Sequence, residues 1–275
     1  MEDVAEIVVL LVGDTGRAEF REAHASLAAL AQTIRVPTLD EAAELLVDGP
    51  RTPDLIVLAQ SRPGEFSATA VDRLRMRAPL ARIVALLGSW CEGEMRTGRP
   101  LPGVIRFYWH QWLPRFQQEI DRLRRGLCPT WGLPATAGDD ERLLLGTRPP
   151  RARREGLVAI ATPQFAMADW LSAACRRGGY ATVWLQPSRP ARVQGAVALV
   201  WDGGDFCVQR QAQLPRLKAE LGPLPILALL DFPRVADHDA AVAAGVAAVL
   251  SKPLLIDDLL WSLQAFFLPL AAPPL

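Results

Sequence analysis

Cys91, Glu92, Glu94 and His110 are the side chains whose types could do chemistry together. A thiol beside a base is a nucleophile, and thiol, carboxylate and imidazole are all metal ligands. The surrounding sequence does not support either use. Cys91 has no nucleophile-elbow context, and His110 is one of only three histidines. Nor is there a phosphate loop: Gly13-Asp-Thr-Gly16 is too short, and Ala161-Thr-Pro-Gln164 has no glycine. The expectation is therefore no catalytic residue, no metal and no cofactor.

Lys252 is the other side chain of chemical interest. Of the 30 basic residues 28 are arginine, and Lys218 and Lys252 are the two lysines. A compact ammonium on a flexible stem is not replaced by a planar guanidinium where a pocket is tight. The run from Ala243 through Ser251-Lys-Pro253 to Leu263 reads as a helix end, a short strand, a Lys-Pro step and a closing amphipathic helix.

The elements that would position these residues recur in two passes. At 275 residues the chain suits two cores better than one. In the first pass continuous apolar runs predict strands over 7–12, 33–36, 54–58, 82–87 and 104–108, and amphipathic spacing predicts helices over 17–31, 39–47, 68–77 and 113–125. In the second, strands are predicted over 157–160, 181–185, 196–201, 226–230 and 249–250, with helices over 166–177, 211–220 and 237–244 before the closing one. The segment 186–194 carries two prolines and should lack a helix. The stretch 127–154, rich in Gly, Pro and Arg, reads as a linker between units 1–126 and 155–270. A repeated (βα)5 frame implies an α/β protein of two flavodoxin-like units, each with a parallel five-stranded sheet. Function belongs at the carboxyl ends of such strands.

Val200-Trp-Asp202, Ser251-Lys-Pro253 and Arg62-Pro-Gly64 carry a resemblance to the receiver domains of response regulators. In that family an acidic pair after the first strand holds magnesium, an aspartate ending the third strand takes a phosphoryl group, and a hydroxyl residue and a lysine contact it. The metal and the lysine neutralise charge on the transferring group. The resemblance places Asp202 at the phosphoacceptor position and Lys252 at the lysine position. It implies that the two are close, with the ends of the third and fifth strands meeting across the first. The acidic pair falls on Ala161, Thr162 and Pro163, and the hydroxyl position on Leu230; Asp205 and Asp231 are out of register to serve as metal ligands. In the first half Pro63 and Gly64 fit, but the acceptor has become Ala59. There Asp14 alone remains of the acidic pair, and Leu87 replaces the hydroxyl. The chain thus resembles a tandem of degenerate receivers, or pseudo-receivers.

One surface is unusual. Gly88 to Gly103 holds four glycines and two prolines where such a unit would carry its fourth helix, and Phe107 to Trp112 packs four aromatics and a histidine into six residues. Aromatic and arginine side chains on strand-end loops concentrate binding energy. Trp90, Arg96, Arg99, Tyr108, Trp109, His110 and Trp112 are the partner-binding candidates, the alternative being that the rings roof the sheet. Acidic and basic residues balance at 30 each and half the chain is hydrophobic, which argues against disorder and against nucleic acid. The four cysteines have no paired spacing and fit a reducing cytoplasm, and no apolar run is long enough to span a membrane.

The expectation is a bacterial, non-enzymatic signalling protein that binds an unidentified protein partner, with a homodimer allowed. The alternatives are a phosphorelay response regulator phosphorylated on Asp202, and a small-ligand or nucleotide sensor.

Overall fold

The computed structural model describes residues 7–48, 52–94, 98–133, 137, 141 and 156–267. The chain divides into two compact units, Met1–Gly146 and Thr147–Leu275.

The first unit runs β1 (Val8–Val12), α1 (Arg21–Leu30), β2 (Gln32–Val36), α2 (Leu39–Asp48), β3 (Leu55–Gln60), α3 (Ala68–Arg77), β4 (Arg82–Leu87), β5 (Ile105–Tyr108) and α4 (Trp109–Arg124). Its sheet has the order β2-β1-β3-β4-β5 with every neighbour parallel. Strands β1 and β3 are buried along their whole length. Both faces of a parallel sheet are covered by crossover helices, so its central strands read as unbroken apolar runs rather than alternating ones. On one face Leu10, Val12, Ile56, Leu58 and Ala85 pack with Ala42 of α2 and with Val71 and Leu74 of α3. Helix α3 starts where the Ser67 hydroxyl accepts the Ala70 N–H at 3.2 Å.

Two expectations need correcting here. The last helix begins at Trp109 rather than Leu113, so the aromatic run passes straight from the end of β5, Phe107 and Tyr108, into the first turn of a helix, with no strand-end loop between them. Pro114 removes one hydrogen bond in the second turn. The helix continues because Trp112 and Phe116, both fully buried, stack at 4.9 Å beneath it. Part of the stretch expected as linker also packs on this unit. Trp131, in a 3-10 turn, lies 6.0 Å from the Phe116 ring. Thr130 donates its N–H and its hydroxyl to the Glu119 carboxylate, each at 2.5 Å. Most of the remaining stretch lies outside the described residues.

The second unit runs β6 (Leu157–Ala161), α5 (Phe165–Arg177), β7 (Ala181–Leu185), β8 (Ala196–Gly204), α6 (Val208–Gln211), α7 (Gln213–Leu221), β9 (Ile226–Asp231), α8 (Val235–Ala243), β10 (Ala248–Lys252) and α9 (Ile256–Ala265). The sheet order is β10-β9-β8-β6-β7, again all parallel. Read from the other edge, this is the strand order of the first unit, and both are doubly wound flavodoxin-like sheets. Between β7 and β8 there is no helix, only a bridge between Gln186 and Arg189. Helix α5 ends at Gly178-Gly179, where Gly179 takes φ 84°, a left-handed turn that glycine adopts without a Cβ penalty. Among the described residues, no helix is long and apolar enough to cross a membrane.

Candidate functional site

Four strands of the second unit end at one cluster. Asp202 lies near the end of the central strand β8, where the ladder shifts register between Asp202 and Gly204. Lys252 ends β10 and stands in register with Asp231, the last residue of β9. The Lys252 ammonium donates to Asp202 Oδ1 at 2.7 Å and lies 2.8 Å from Asp231 Oδ1. Thr162, which follows β6, donates its hydroxyl to Asp202 Oδ2 at 2.8 Å. Thr162 is itself held, since its carbonyl accepts the Trp184 indole N–H at 2.9 Å.

Asp202 and Lys252 are therefore in contact, but by a different route from the expected one. The strand between them is β9, not the first strand of the unit. Asp231, which the sequence set aside on register, joins the cluster because β9 runs one residue past Leu230. Leu230 is fully buried, and the hydroxyl at this site comes instead from Thr162.

The electrostatics follow from burial. The Asp202 and Lys252 side chains are only 8% and 17% exposed, against 41% for Asp231. Loss of water works to push the Lys252 ammonium down, and its hydrogen bonds to Asp202 and Asp231 outweigh that, holding its pKa above the ordinary lysine value. Both Asp202 oxygens have donors, and an ammonium occupies the space between two carboxylates that a bridging cation would need. Among the described residues no group of three or more His, Cys, Asp or Glu side chains is arranged to hold a metal.

The corresponding strand ends of the first unit are built differently. Ala59 is buried at the acceptor position, and Leu87 is fully buried. Asp14 faces solvent, paired with Arg17 at 3.3 Å. Gly64 takes φ 74° in the turn after β3. Glu19, which no sequence motif marks, brings a carboxylate to these strand ends. It accepts hydrogen bonds from the Ser61 hydroxyl and from the Ser89 N–H and hydroxyl.

The four residues first considered for chemistry do not form one site. Cys91 is fully buried, its thiol donating to the Gln60 carbonyl at 3.5 Å. Burial, with Glu94 next in effect, pushes its pKa up to about 12, so it is no thiolate nucleophile at neutral pH. Glu94 is engaged by Arg106 at 2.7 Å and by the Gln60 amide at 3.1 Å. Glu92 lies 3.6 Å from His110.

The aromatic surface is mostly interior. Trp109, His110 and Trp112 are buried, which withdraws them as binding residues; all three lie in the first turn of α4. Trp112 donates its indole N–H to Ser26 Oγ at 2.9 Å. Trp90 is 64% exposed, Arg99 is exposed and Tyr108 is half-buried, stacked on His110 at 5.8 Å. Arg96 lies outside the described residues.

No protein-family model matches the chain, and no curated protein is significantly similar to it. Distant likenesses exist among solved structures. One is described as a two-component system response regulator/GGDEF domain protein, 13% identical over 95% of this chain and 98% of that one, with a TM-score of 0.36. Another is the E. coli RcsC C-terminus containing a linker region and phosphoreceiver domain, 11% identical over 95% and 92%, TM-score 0.33. A third is full-length ShkA in complex with AMPPNP, 15% identical over 96% of this chain and 52% of that one, TM-score 0.33. The strand order and parallel pairing, not these likenesses, establish the fold.

Proposed function

We propose that the chain is a non-catalytic signalling protein of response-regulator type that works by protein–protein contact through two pseudo-receiver units. The observation that supports this most is the commitment of Asp202. Each of its oxygens already accepts a short hydrogen bond, from Lys252 on one side and Thr162 on the other. In the first unit a buried Ala59 stands at the equivalent strand end. Ala59 offers no nucleophile for a phosphoryl donor, and Asp202 is engaged on both oxygens in contacts that tie strand ends together. Contact with a partner would then rest on the exposed Trp90, Arg99 and the half-buried Tyr108.

A second reading, in which Asp202 accepts phosphate, is favoured by the Lys252 ammonium 2.7 Å away. Intact-mass measurement after incubation with acetyl phosphate and magnesium separates the two. The proposal expects unmodified protein. One added phosphoryl group, absent from Asp202→Asn, would replace it with the second reading. For the contact surface, affinity capture from the source cells should lose its partner when Trp90 and Arg99 are replaced by alanine in a variant of unchanged stability. Capture of the same proteins by that variant counts against the surface.

A further inference from the structure

Ser61 and Ser89 direct three hydrogen-bond donors at one point on the carboxyl edge of the first sheet. Ser61 directly follows β3, and Gly88 and Ser89 directly follow β4. The donors are the Ser61 hydroxyl, the Ser89 N–H and the Ser89 hydroxyl, and what they meet is the carboxylate of Glu19. The Ser89 N–H reaches Oε2 at 3.1 Å and its hydroxyl reaches the same oxygen at 3.2 Å; the Ser61 hydroxyl serves Oε1. A main-chain N–H can only donate, so Oε2 is an acceptor here.

The surroundings are shaped for that occupant. Glu19 sits on a 3-10 turn, Ala18–Phe20, whose Phe20 is buried in the core. Ser61 is 1% exposed and Glu19 9%. Glu65 takes the Ser61 N–H at 2.6 Å and the Arg62 N–H at 3.2 Å, which fixes the loop and leaves the Ser61 hydroxyl for Glu19. Gly88 supplies the room: a Cβ there would stand 2.6 Å from Glu19 Cδ.

We infer that this pocket is an oxyanion cradle filled from within, with Glu19 as its resident ligand, and that it takes a free carboxylate-sized oxyanion once that side chain is removed. Preorganised N–H and O–H donors in a dry site favour an anion strongly. With Glu19 in place the first unit is held in a single state that soluble anions cannot alter.

Glu19→Ala removes a fragment the size of acetate, which makes acetate the probe. In chloride the variant should melt below the native protein. Acetate at tens of millimolar and matched ionic strength should raise its melting temperature by about 2–4 °C by mass action while leaving the native protein unmoved. Acetamide, the neutral isostere, should do nothing. An acetate response no larger than that of the native protein, or an equal response to acetamide, overturns the inference. If Glu19→Ala does not fold in chloride, refolding decides: recovery in acetate supports the cradle and failure refutes it. Glu19→Gln keeps the volume but replaces one acceptor oxygen with a donor, so it should be measurably less stable than the native protein; equal stability also overturns the inference.

Discussion

Lys252 stands in register beside Asp231, and its ammonium reaches past that neighbour, across β9, to Asp202 near the end of β8. One side chain thereby ties together three adjacent strand ends. The tie suits lysine. A tetrahedral ammonium on a long stem can divide its three N–H donors between carboxylates that approach from separate strands, whereas a guanidinium prefers two oxygens of one carboxylate in its own plane.

Lys252→Met should destabilise the second unit by about 2–3 kcal/mol, because Asp202 would keep its burial and lose its cation. The double variant Lys252→Met, Asp202→Asn should lose clearly less. Denaturant titration of both variants measures this. Equal and negligible losses would mean that the pair contributes nothing to the fold.

The same contact fixes a pH dependence. The Lys252 pKa is raised in the folded protein above its ordinary 10.5, despite the opposing effect of burial. The folded state thus binds the proton more tightly than the unfolded chain. The stability this contributes is fully present below the ordinary value and is lost as pH rises through the folded one. The gap in unfolding free energy between the native protein and Lys252→Met should therefore be constant through neutral pH and shrink only in strong alkali. A gap that widens in alkali would contradict the raised value.

Thiol reactivity should split the cysteines in two. Cys128 and Cys207 are exposed, whereas Cys91 and Cys175 are buried with pKa values pushed up to about 12, chiefly by burial. A disulfide reagent at neutral pH should titrate the two exposed thiols in the native protein and all four only after unfolding. Rapid labelling of Cys91 in the folded state would reopen its reading as a nucleophile.

The sequence carried the frame of this protein more clearly than its sites, for a physical reason. Strands buried on both faces are apolar throughout, so β1, β3, β4 and β6 stood out, and two prolines marked the missing helix between β7 and β8. Asp202 and Lys252 were legible because each lies at or near the end of an apolar strand run. Thr162, Asp231 and Glu19 were not. A hydroxyl after β6, a carboxylate one residue beyond Leu230 and a glutamate on a 3-10 turn acquire their roles only when separate strand ends meet, and no local spacing encodes that meeting. The aromatic run misled for the opposite reason. Phe107 to Trp112 spans the end of β5 and the first turn of α4, so neither period is complete within it.

Trp112 and Trp90 separate a roofing role from a surface role. Trp112 is fully buried, stacked on Phe116, edge-on to Phe107 at 6.1 Å and hydrogen-bonded to Ser26 of α1. Trp112→Ala would empty a large volume between α1 and α4 and should cost about 3–5 kcal/mol. Ser26→Ala, which removes only the acceptor of the indole N–H, should cost about 1–2 kcal/mol because it leaves that donor buried and unsatisfied. Trp90, 64% exposed, should tolerate alanine within about 0.5 kcal/mol. Thermal and denaturant unfolding of the three variants gives the ranking directly. A Trp90 variant that unfolds as readily as the Trp112 variant would place its ring in the core and remove it from the proposed contact surface.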